Sequence, residues 1–278
     1  MSTVRELKGQ IHRLNEIGGI MTAMKNLAFM ELRKLERHLE AQQILVERIR
    51  YCAGLCLSHF PAAGLEGRPP HRLCLILGSE RGFCGDFNQQ LILKGQAMLP
   101  SDAACGLVTL GHRLNQRDLG GHEVLDQLAG ASASEEVEPV LIALVHRLGR
   151  LEQLRGPFEL TVLFHHPEAG EVRLGEVLPP FADLEPDPPA GSPPLLGLGL
   201  PELMLGIGEQ FLMAELQRVL YCSLMAENQQ RVVHLQGAIQ KLEQHVESLN
   251  RRSNHLRQEA IIEEIEIILM NQAELLDP

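Results

Sequence analysis

Apolar residues recur at alternating intervals of three and four along both ends of the chain, which is the pattern of a two-stranded coiled coil. In the last quarter only Ser253 interrupts this series, whose apolar positions are Val232, Leu235, Ile239, Leu242, Val246, Leu249, Leu256 and Ala260. The same step extends back to Met225 and Asn228. A continuous helix of roughly 70 residues would be about 100 Å long at 1.5 Å per residue. Such a helix needs a partner of similar length to cover its apolar seam.

The first 60 residues supply a matching seam. It contains three non-apolar residues, Gly18, Lys25 and Gln42, and its apolar positions are Val4, Leu7, Ile11, Leu14, Met21, Ala28, Leu32, Leu35, Leu39, Val46, Ile49, Ala53 and Cys56. A folded segment between the two helices can return the chain to its start, so the pattern predicts an antiparallel coiled coil. Gly18 and Gly19 each cost about 1 kcal/mol relative to Ala in a helix interior. Either the first helix bends there, or a partner backbone approaches closely.

The middle of the chain alternates between strand and helix patterns. Leu73–Leu77 is a short apolar run that ends at Gly78, which is typical of a buried parallel strand. The other predicted elements are helices over Phe87–Met98 and Ser134–Leu151 and strands over Cys105–Leu110, Phe158–Phe164 and Glu171–Leu178, the last at a sheet edge. This order predicts an α/β fold with a small three-layer, Rossmann-like domain.

Proline content and charge refine this picture. Fifteen of the 16 prolines lie between Pro61 and Pro201, so the predicted domains are an N-terminal helix (1–60), an α/β head with a Pro-rich connector (61–201) and a C-terminal helix (202–278). The net charge of −11 argues against a nucleic-acid partner. No basic leader and no run of 18 apolar residues is present, so we expect neither secretion nor membrane spanning.

The six cysteines have irregular spacing and are interpreted as reduced thiols. An alternative is a metal site at Cys52, Cys56 and His59, whose spacing would place them on neighbouring helical turns. No fourth ligand is evident, and the sequence predicts no metal or cofactor.

The candidate chemical loop is the segment S-E-R-G-F-C-G-D-F-N, Ser79–Asn88, which follows the first predicted strand and leads into a helix. Turns of this kind often bind phosphate because free backbone amides converge there. The spacing matches neither G-x-G-x-x-G nor G-x-x-x-x-G-K-[ST], so we favour glycines that turn the chain tightly. Cys84 has no evident catalytic partner, and His165 and His166 are interpreted as ordinary strand-end residues.

Three blocks, in order along the chain, resemble the gamma subunit of F-type rotary ATP synthases. The loop Ser79–Asn88 is similar to that family's S-D-R-G-L-C-G-G-L-N segment. The first block consists of Leu7, Lys8, Ile11, Ile20, Ala23, Met24, Lys25, Ala28 and Arg33. The last consists of Asn254, Arg257, Gln258, Ile261, Glu264, Ile265, Ile268, Ala273, Glu274 and Leu275. Glu80, Asp86, Ile262 and the pair Gly18-Gly19 depart from the family pattern, which indicates a divergent or alternative branch.

The resemblance implies a non-catalytic central rotor stalk that couples ion flow, of H+ or Na+, to conformational cycling of the catalytic sites. The implied partners are the alpha and beta subunits of the catalytic ring, the epsilon subunit and the c-ring of the membrane sector. The implied location is peripheral, on the cytoplasmic face of a bacterial plasma membrane. The resemblance also assigns ring contacts: Arg257 and Gln258 would meet the acidic catch loop of a beta subunit, with Met24 and Lys25 on the neighbouring stretch of the first helix.

Two other functions stay open from the residues alone. One is a nucleotide-binding enzyme domain flanked by helices, which requires a phosphate-binding pattern and a catalytic base or metal. The other is a passive coiled-coil scaffold, which explains the seams but gives no reason for the three blocks.

Overall fold

The computed structural model describes residues 4–60, 71–98, 105–115, 119, 122–168, 170–184 and 191–274. Its described helices are α1 (Val4–His59), α2 (Phe87–Met98), α3 (Val137–Arg155) and α4 (Leu200–Glu274). Its described strands are β1 (His71–Leu77), β2 (Cys105–Leu110), β3 (Val124–Leu128), β4 (Phe158–His166) and β5 (Glu171–Leu178). The predicted α/β class with long terminal helices is confirmed.

The strands form one sheet in the order β3-β2-β1-β4-β5. The first four strands run parallel, and β5 is antiparallel to β4 at the edge, as predicted. Strand β3 was not among the predicted elements. This strand has only five residues, it is half-buried, and Asp126 interrupts its apolar character, so the apolar pattern that marks a central strand is absent.

Both faces of the sheet are covered, which confirms the three-layer arrangement. Along β1, Leu73, Leu75 and Leu77 belong to a core shared with α3 and with parts of α1 and α4. Cys74 and Ile76 point to the opposite face, where they share a second core with α2. Successive side chains of a strand alternate between faces, so a strand that is apolar at every position is buried on both sides.

Several element boundaries differ from the prediction. Strand β1 begins at His71 instead of Leu73, and β4 ends at His166 instead of Phe164. The last helix begins at Leu200 rather than after Pro201, because proline is tolerated in the first turn, where its missing N–H has no helical acceptor. Helix α3 begins at Val137 and follows a 3₁₀ turn over Ser134–Glu136. The backbone amide of Ser134 donates to Glu31 on α1 at 2.5 Å.

Contacts divide the chain into two compact units. One contains the described parts of Met1–Leu27 and Val232–Pro278, and the other is Ala28–Arg231. In the first unit, Lys25 Nζ donates to Gln236 Oε1 at 2.7 Å, and a Cβ added to Gly18 would lie 3.3 Å from Leu242 Cδ2. The earlier residue of α1, Gly18, thus contacts the later residue of α4, Leu242, so the two helices run antiparallel. The division at residues 60 and 201 stays a prediction.

The predicted seam is at least partly buried at every position from Val4 to Cys56 and from Val232 to Leu256. Ala260, which was predicted to belong to it, is exposed. The contacts of Lys25 with Gln236 and of Gly18 with Leu242 place Val4 opposite Leu256 and Arg257, so no described residue of α1 covers the following turns of α4. None of the described helices is long and apolar enough to cross a bilayer.

Candidate functional site

The loop after β1 is held by a carboxylate from α4. Glu227 accepts the backbone amides of Glu80 and Arg81, at 3.1 Å to Oε2 and 3.3 Å to Oε1. Burial raises the pKa of the Glu227 carboxyl, whereas the Arg231 guanidinium and the two loop amides act in the opposite direction and favour the carboxylate. The converging amides that could bind a phosphate in such a turn are therefore already bound to an internal anion.

Arg231 completes this anchor. Its guanidinium pairs with Glu227, donates to the carbonyl oxygen of Gly82 at 3.2 Å and donates to Asn228 Oδ1 at 2.8 Å. The side chains of Glu227 and Arg231 are only 4% and 6% exposed. A buried charge pair with additional hydrogen bonds holds its geometry, so the loop has a fixed position against α4.

The two ends of the loop are also tied down. Ser79 donates its amide to Asn88 Oδ1 at 2.9 Å, and Asn88 Nδ2 donates to Ser79 Oγ and to the carbonyl oxygen of Arg113. Cys84 Sγ donates to the carbonyl oxygen of Arg81 at 3.0 Å, and burial raises the pKa of the Cys84 thiol. A protonated, buried thiol is a poor nucleophile.

Glu80 joins the carboxyl ends of three strands. Its Oε2 accepts the amides of His112, after β2, and of Gly130, after β3, at 3.1 and 2.8 Å. Its Oε1 lies 2.5 Å from His112 Nδ1. Partial burial acts to raise the pKa of Glu80, but the Gly130 amide and the His112 ring outweigh it, and that pKa is lowered. Glu80, a departure from the family pattern, thus has a defined structural role.

Several residues of the loop face solvent, and two of them, Arg81 and Phe83, have large side chains. Arg81 is exposed, and Phe83 is 51% exposed with φ at 64°. A side chain other than glycine or asparagine in this left-handed region costs about 1–3 kcal/mol and is kept only where surrounding contacts fix it. Gly85 has φ at 61°, which supports the tight-turn interpretation, whereas Gly82 has no positive φ.

The crevice where a doubly wound sheet usually binds a nucleotide is filled. This switch point lies between β1 and β4, where the strand order reverses. His165 stacks on Phe87 with ring centroids 3.9 Å apart, and its Nε2 lies 2.9 Å from the Phe87 carbonyl oxygen. Burial lowers the pKa of His165. The same buried core includes Ala226 of α4.

The proposed metal site is not assembled in the described residues. Cys56 is buried, whereas Cys52 is exposed, and no group of three His, Cys, Asp or Glu residues in the described part of the chain could hold a metal ion.

The predicted ring contacts lie on the two terminal helices but do not come together. Lys25 bonds to Gln236, and Met24 is half-buried beside it. Arg257 and Gln258 lie 21 residues further along α4, about 32 Å at 1.5 Å per residue. Both are exposed, and among the described residues Arg257 has no ion pair. Met24 and Lys25 are therefore not on the neighbouring stretch, because the register of the helices places them far from Arg257.

An exposed apolar group follows Arg257 on the same helix. Five isoleucines there are between 47% and 58% exposed: Ile261, Ile262, Ile265, Ile267 and Ile268. Glu259, Glu263, Glu264 and Glu266 lie among them and are exposed as well. Exposed apolar residues in such density mark an interaction surface.

Sequence reasoning missed the anchor formed by Glu227 and Arg231. Their i,i+4 spacing is usual for an exposed pair on a helix surface, and only their position in a stretch of α4 that is buried almost all round distinguishes them. That stretch shows in the sequence as apolar residues on more than one helix face, from Leu216 to Ala226.

Comparison with known proteins agrees with this geometry. The model of a family described as ATP synthase matches residues 3–270 of the chain. The ATP synthase gamma chain of Sulfurovum sp. (strain NBC37-1) is 25% identical over 307 aligned residues, with 96% of this chain and 98% of that relative covered. The match extends over the coiled-coil segments as well as the sheet.

Three solved structures share the fold. A chain of the Euglena gracilis mitochondrial ATP synthase OSCP/F1/c-ring assembly has a TM-score of 0.64 at 14% identity, with 98% of this chain and 94% of that chain covered. A chain of the rotor from the same organism has a TM-score of 0.59 at 12% identity, with coverage of 93% and 98%. A chain of the Tetrahymena thermophila mitochondrial ATP synthase central stalk and c-ring has a TM-score of 0.53 at 17% identity, with coverage of 79% and 99%.

Proposed function

Because this chain belongs to the gamma family of ATP synthases and forms the central stalk of a rotary ATP synthase, we propose that its terminal helices carry torque to the catalytic ring. The match over residues 3–270 is the observation that carries this function. The antiparallel seam supports it physically, since side chains packed in a coiled coil resist bending and sliding. An asymmetric stalk touches each catalytic pair of subunits differently, and its rotation shifts each site in turn between conformations.

Arg257 and Gln258 are our candidates for the contact with an acidic loop of a beta subunit. Both side chains are exposed, and Arg257 has no ion pair among the described residues. The five donors of a guanidinium suit carboxylate acceptors. Met24 and Lys25 would contact a different level of the ring, about 32 Å along the helix axis.

The exposed isoleucines from Ile261 to Ile268 support insertion of this part of α4 into the ring. In water they would leave an apolar surface uncovered, whereas an apolar lining of the surrounding subunits would bury it. At about 25 cal/mol per Å², burial of several isoleucine side chains stabilises the assembled state by several kcal/mol.

The remaining partners follow from the same family membership. We propose that the chain assembles with the alpha, beta and epsilon subunits and with the c-ring, and that it is peripheral to the cytoplasmic face of a bacterial plasma membrane. We also propose that it catalyses no reaction itself. Glu227 binds the loop amides and His165 fills the switch point, which supports this proposal.

The ring contact is tested with Arg257→Ala combined with Gln258→Ala in the reconstituted complex. We expect ATP hydrolysis to slow, or ion pumping per ATP to fall, while the stalk stays folded by circular dichroism. The matched control is Arg150→Ala with Gln153→Ala, an exposed pair on α3. Unchanged hydrolysis and pumping in the first variant would refute the assignment of these two residues.

The absence of a nucleotide site is tested by isothermal titration of the purified chain with ATP, ADP and NAD. We expect no heat of binding, because the loop amides already have an internal acceptor. Micromolar affinity for any of the three would revive the enzyme hypothesis.

A further inference from the structure

The 3₁₀ turn before α3 is capped by a residue from a distant part of the chain. Ser134 is the first residue of this turn, and the first amides of a helix have no acceptor within it. The residue at the N-cap, Ala133, has no polar side chain to supply one. Glu31 of α1, 103 positions away, accepts the Ser134 amide at 2.5 Å instead. Ser134 is only 5% exposed, so the loss of Glu31 would leave a buried amide without its acceptor.

A second link joins the same two elements but contributes less. Lys34 Nζ donates to Glu135 Oε1 at 2.8 Å and lies 3.5 Å from Glu31 Oε2. Ser134 Oγ donates to Glu135 Oε2 at 3.2 Å, which closes a ring between α1 and the turn. The side chains of Lys34 and Glu135 are 45% and 65% exposed, whereas that of Glu31 is 13% exposed. Exposed ion pairs stabilise little, so Glu31 makes the main attachment.

Two carboxylates described above make the same kind of contact. Glu227 of α4 accepts the backbone amide of Glu80, and the Glu80 side chain accepts the amide of Gly130, after β3. Gly130 precedes Ser134 by four residues, and Ser134 donates to Glu31 of α1. The carboxylates of Glu227, Glu80 and Glu31 therefore connect α4 to α1 through the carboxyl edge of the sheet.

The two outer carboxylates lie where the long helices leave the unit Ala28–Arg231. Glu31 is three residues after Ala28, and Glu227 is four residues before Arg231. Both helices continue along the chain beyond these limits. Apolar seam contacts are not directional, so a helix held by them alone can slide against its neighbour. A hydrogen bond to a backbone amide is directional, and one such attachment on each helix opposes this sliding.

We propose that Glu31 is a positioning residue of the rotor, which fixes α1 to the sheet so that both long helices transmit torque. The proposal rests on the proposed function, since it requires that these helices carry torque. Glu227 and Arg231 hold α4 to the loop after β1. Glu31 supplies the corresponding attachment of α1. Without it, α1 yields under load, and part of the work of each ATP is lost before it moves an ion.

The test compares Glu31→Ala with Glu31→Gln in the reconstituted complex. Glutamine keeps a side-chain oxygen that can accept the Ser134 amide, whereas alanine has none. We expect Glu31→Ala to lower the number of ions pumped per ATP against an opposing ion gradient, and Glu31→Gln to retain most of it. In the purified chain, hydrogen exchange at the Ser134 amide should become roughly tenfold faster in Glu31→Ala.

Two controls separate this role from a general loss of stability. Leu91→Ala opens a cavity in the core on the opposite face of the sheet, so it destabilises the chain and leaves the attachment of α1 in place. Glu36→Ala removes an exposed carboxylate from α1. Neither control should change the number of ions pumped per ATP.

The outcomes distinguish the two proposals. Unchanged pumping per ATP in Glu31→Ala would overturn the positioning role, and so would an equal loss in Leu91→Ala or in Glu31→Gln. A wild-type complex that assembles and hydrolyses ATP without pumping ions would instead refute the proposed function.

Discussion

Replacing Glu227 with glutamine should destabilise the chain far more than the same change at Glu247. Both glutamates lie on α4, four residues before an arginine that they pair with. The pair of Glu227 with Arg231 has side chains only 4% and 6% exposed, whereas that of Glu247 with Arg251 is 65% and 78% exposed. The residue types and spacing are equal, so the comparison measures the combined effect of burial and of the two loop amides that only Glu227 accepts.

The magnitude follows from the contacts that each variant loses. Removing one partner of a buried ion pair costs about 3–5 kcal/mol, because the other charge stays buried without compensation. Arg231 would keep Gly82 and Asn228 as acceptors, and the glutamine would keep one oxygen for a loop amide. We therefore expect a loss of about 3 kcal/mol in the free energy of unfolding for Glu227→Gln. For the exposed pair the loss should be about 0.3–0.5 kcal/mol.

The assay is urea unfolding of the full chain, followed by circular dichroism. Limited proteolysis should in addition show new cleavage between Ser79 and Asn88 in Glu227→Gln only. Combining Glu227→Gln with Arg231→Met should restore part of the stability, since the unpaired charge is removed. A loss below about 1 kcal/mol, or one equal to that of Glu247→Gln, would refute the view that Glu227 holds the loop.

Two further predictions concern the glycine pair and the cysteines. Nothing lies within 4 Å of a Cβ added at Gly19, so Gly19→Ala should raise the free energy of unfolding by roughly 1 kcal/mol through helix propensity. Gly18→Ala should raise it by less, because the added Cβ lies 3.3 Å from the side chain of Leu242. Equal gains in thermal unfolding would contradict this contact. Burial raises the pKa of Cys74 to about 12 and that of Cys222 to about 11, so almost no thiolate forms there at pH 8. Iodoacetamide should therefore modify the exposed Cys52 first, as followed by peptide mass spectrometry, and early modification of Cys222 would show that its site opens.

The terminal helices and the central strands could be predicted because burial repeats along them with a fixed period. At Gly18 the neighbour of an added Cβ is the side chain of Leu242, not a partner backbone, so the choice between a bend and a close backbone approach stays open. The register of the two helices could not be predicted. A shift by one heptad preserves every apolar contact of a seam, and only specific pairs such as Lys25 with Gln236 fix it. The supposed proximity of Lys25 to Arg257 failed for that reason.

The loop anchor and β3 were beyond sequence reasoning for other physical reasons. Glu227 and Glu80 are 147 positions apart, and neither residue type nor local spacing indicates that they meet. Strand β3 lies at a sheet edge and buries little, so its five residues lack an apolar pattern. The sequence predicted that glycines turn this loop tightly, and Gly85 does so with φ at 61°. It did not predict that the Glu227 carboxylate would accept the loop amides that could otherwise bind a phosphate.

The anchor on α4 also decides how the helix and the sheet respond to force. Ser223 donates to the carbonyl oxygen of Leu77 at 3.4 Å, Glu227 binds the loop amides, and Arg231 binds the Gly82 carbonyl oxygen. These three residues are four apart, so they lie along one face of the helix over three successive turns, about 12 Å. Each bonds to the backbone of β1 or of the loop that follows it. Within the unit Ala28–Arg231, a rotation of this stretch of α4 about its own axis would have to break all three attachments together, so this stretch and β1 resist such a rotation jointly.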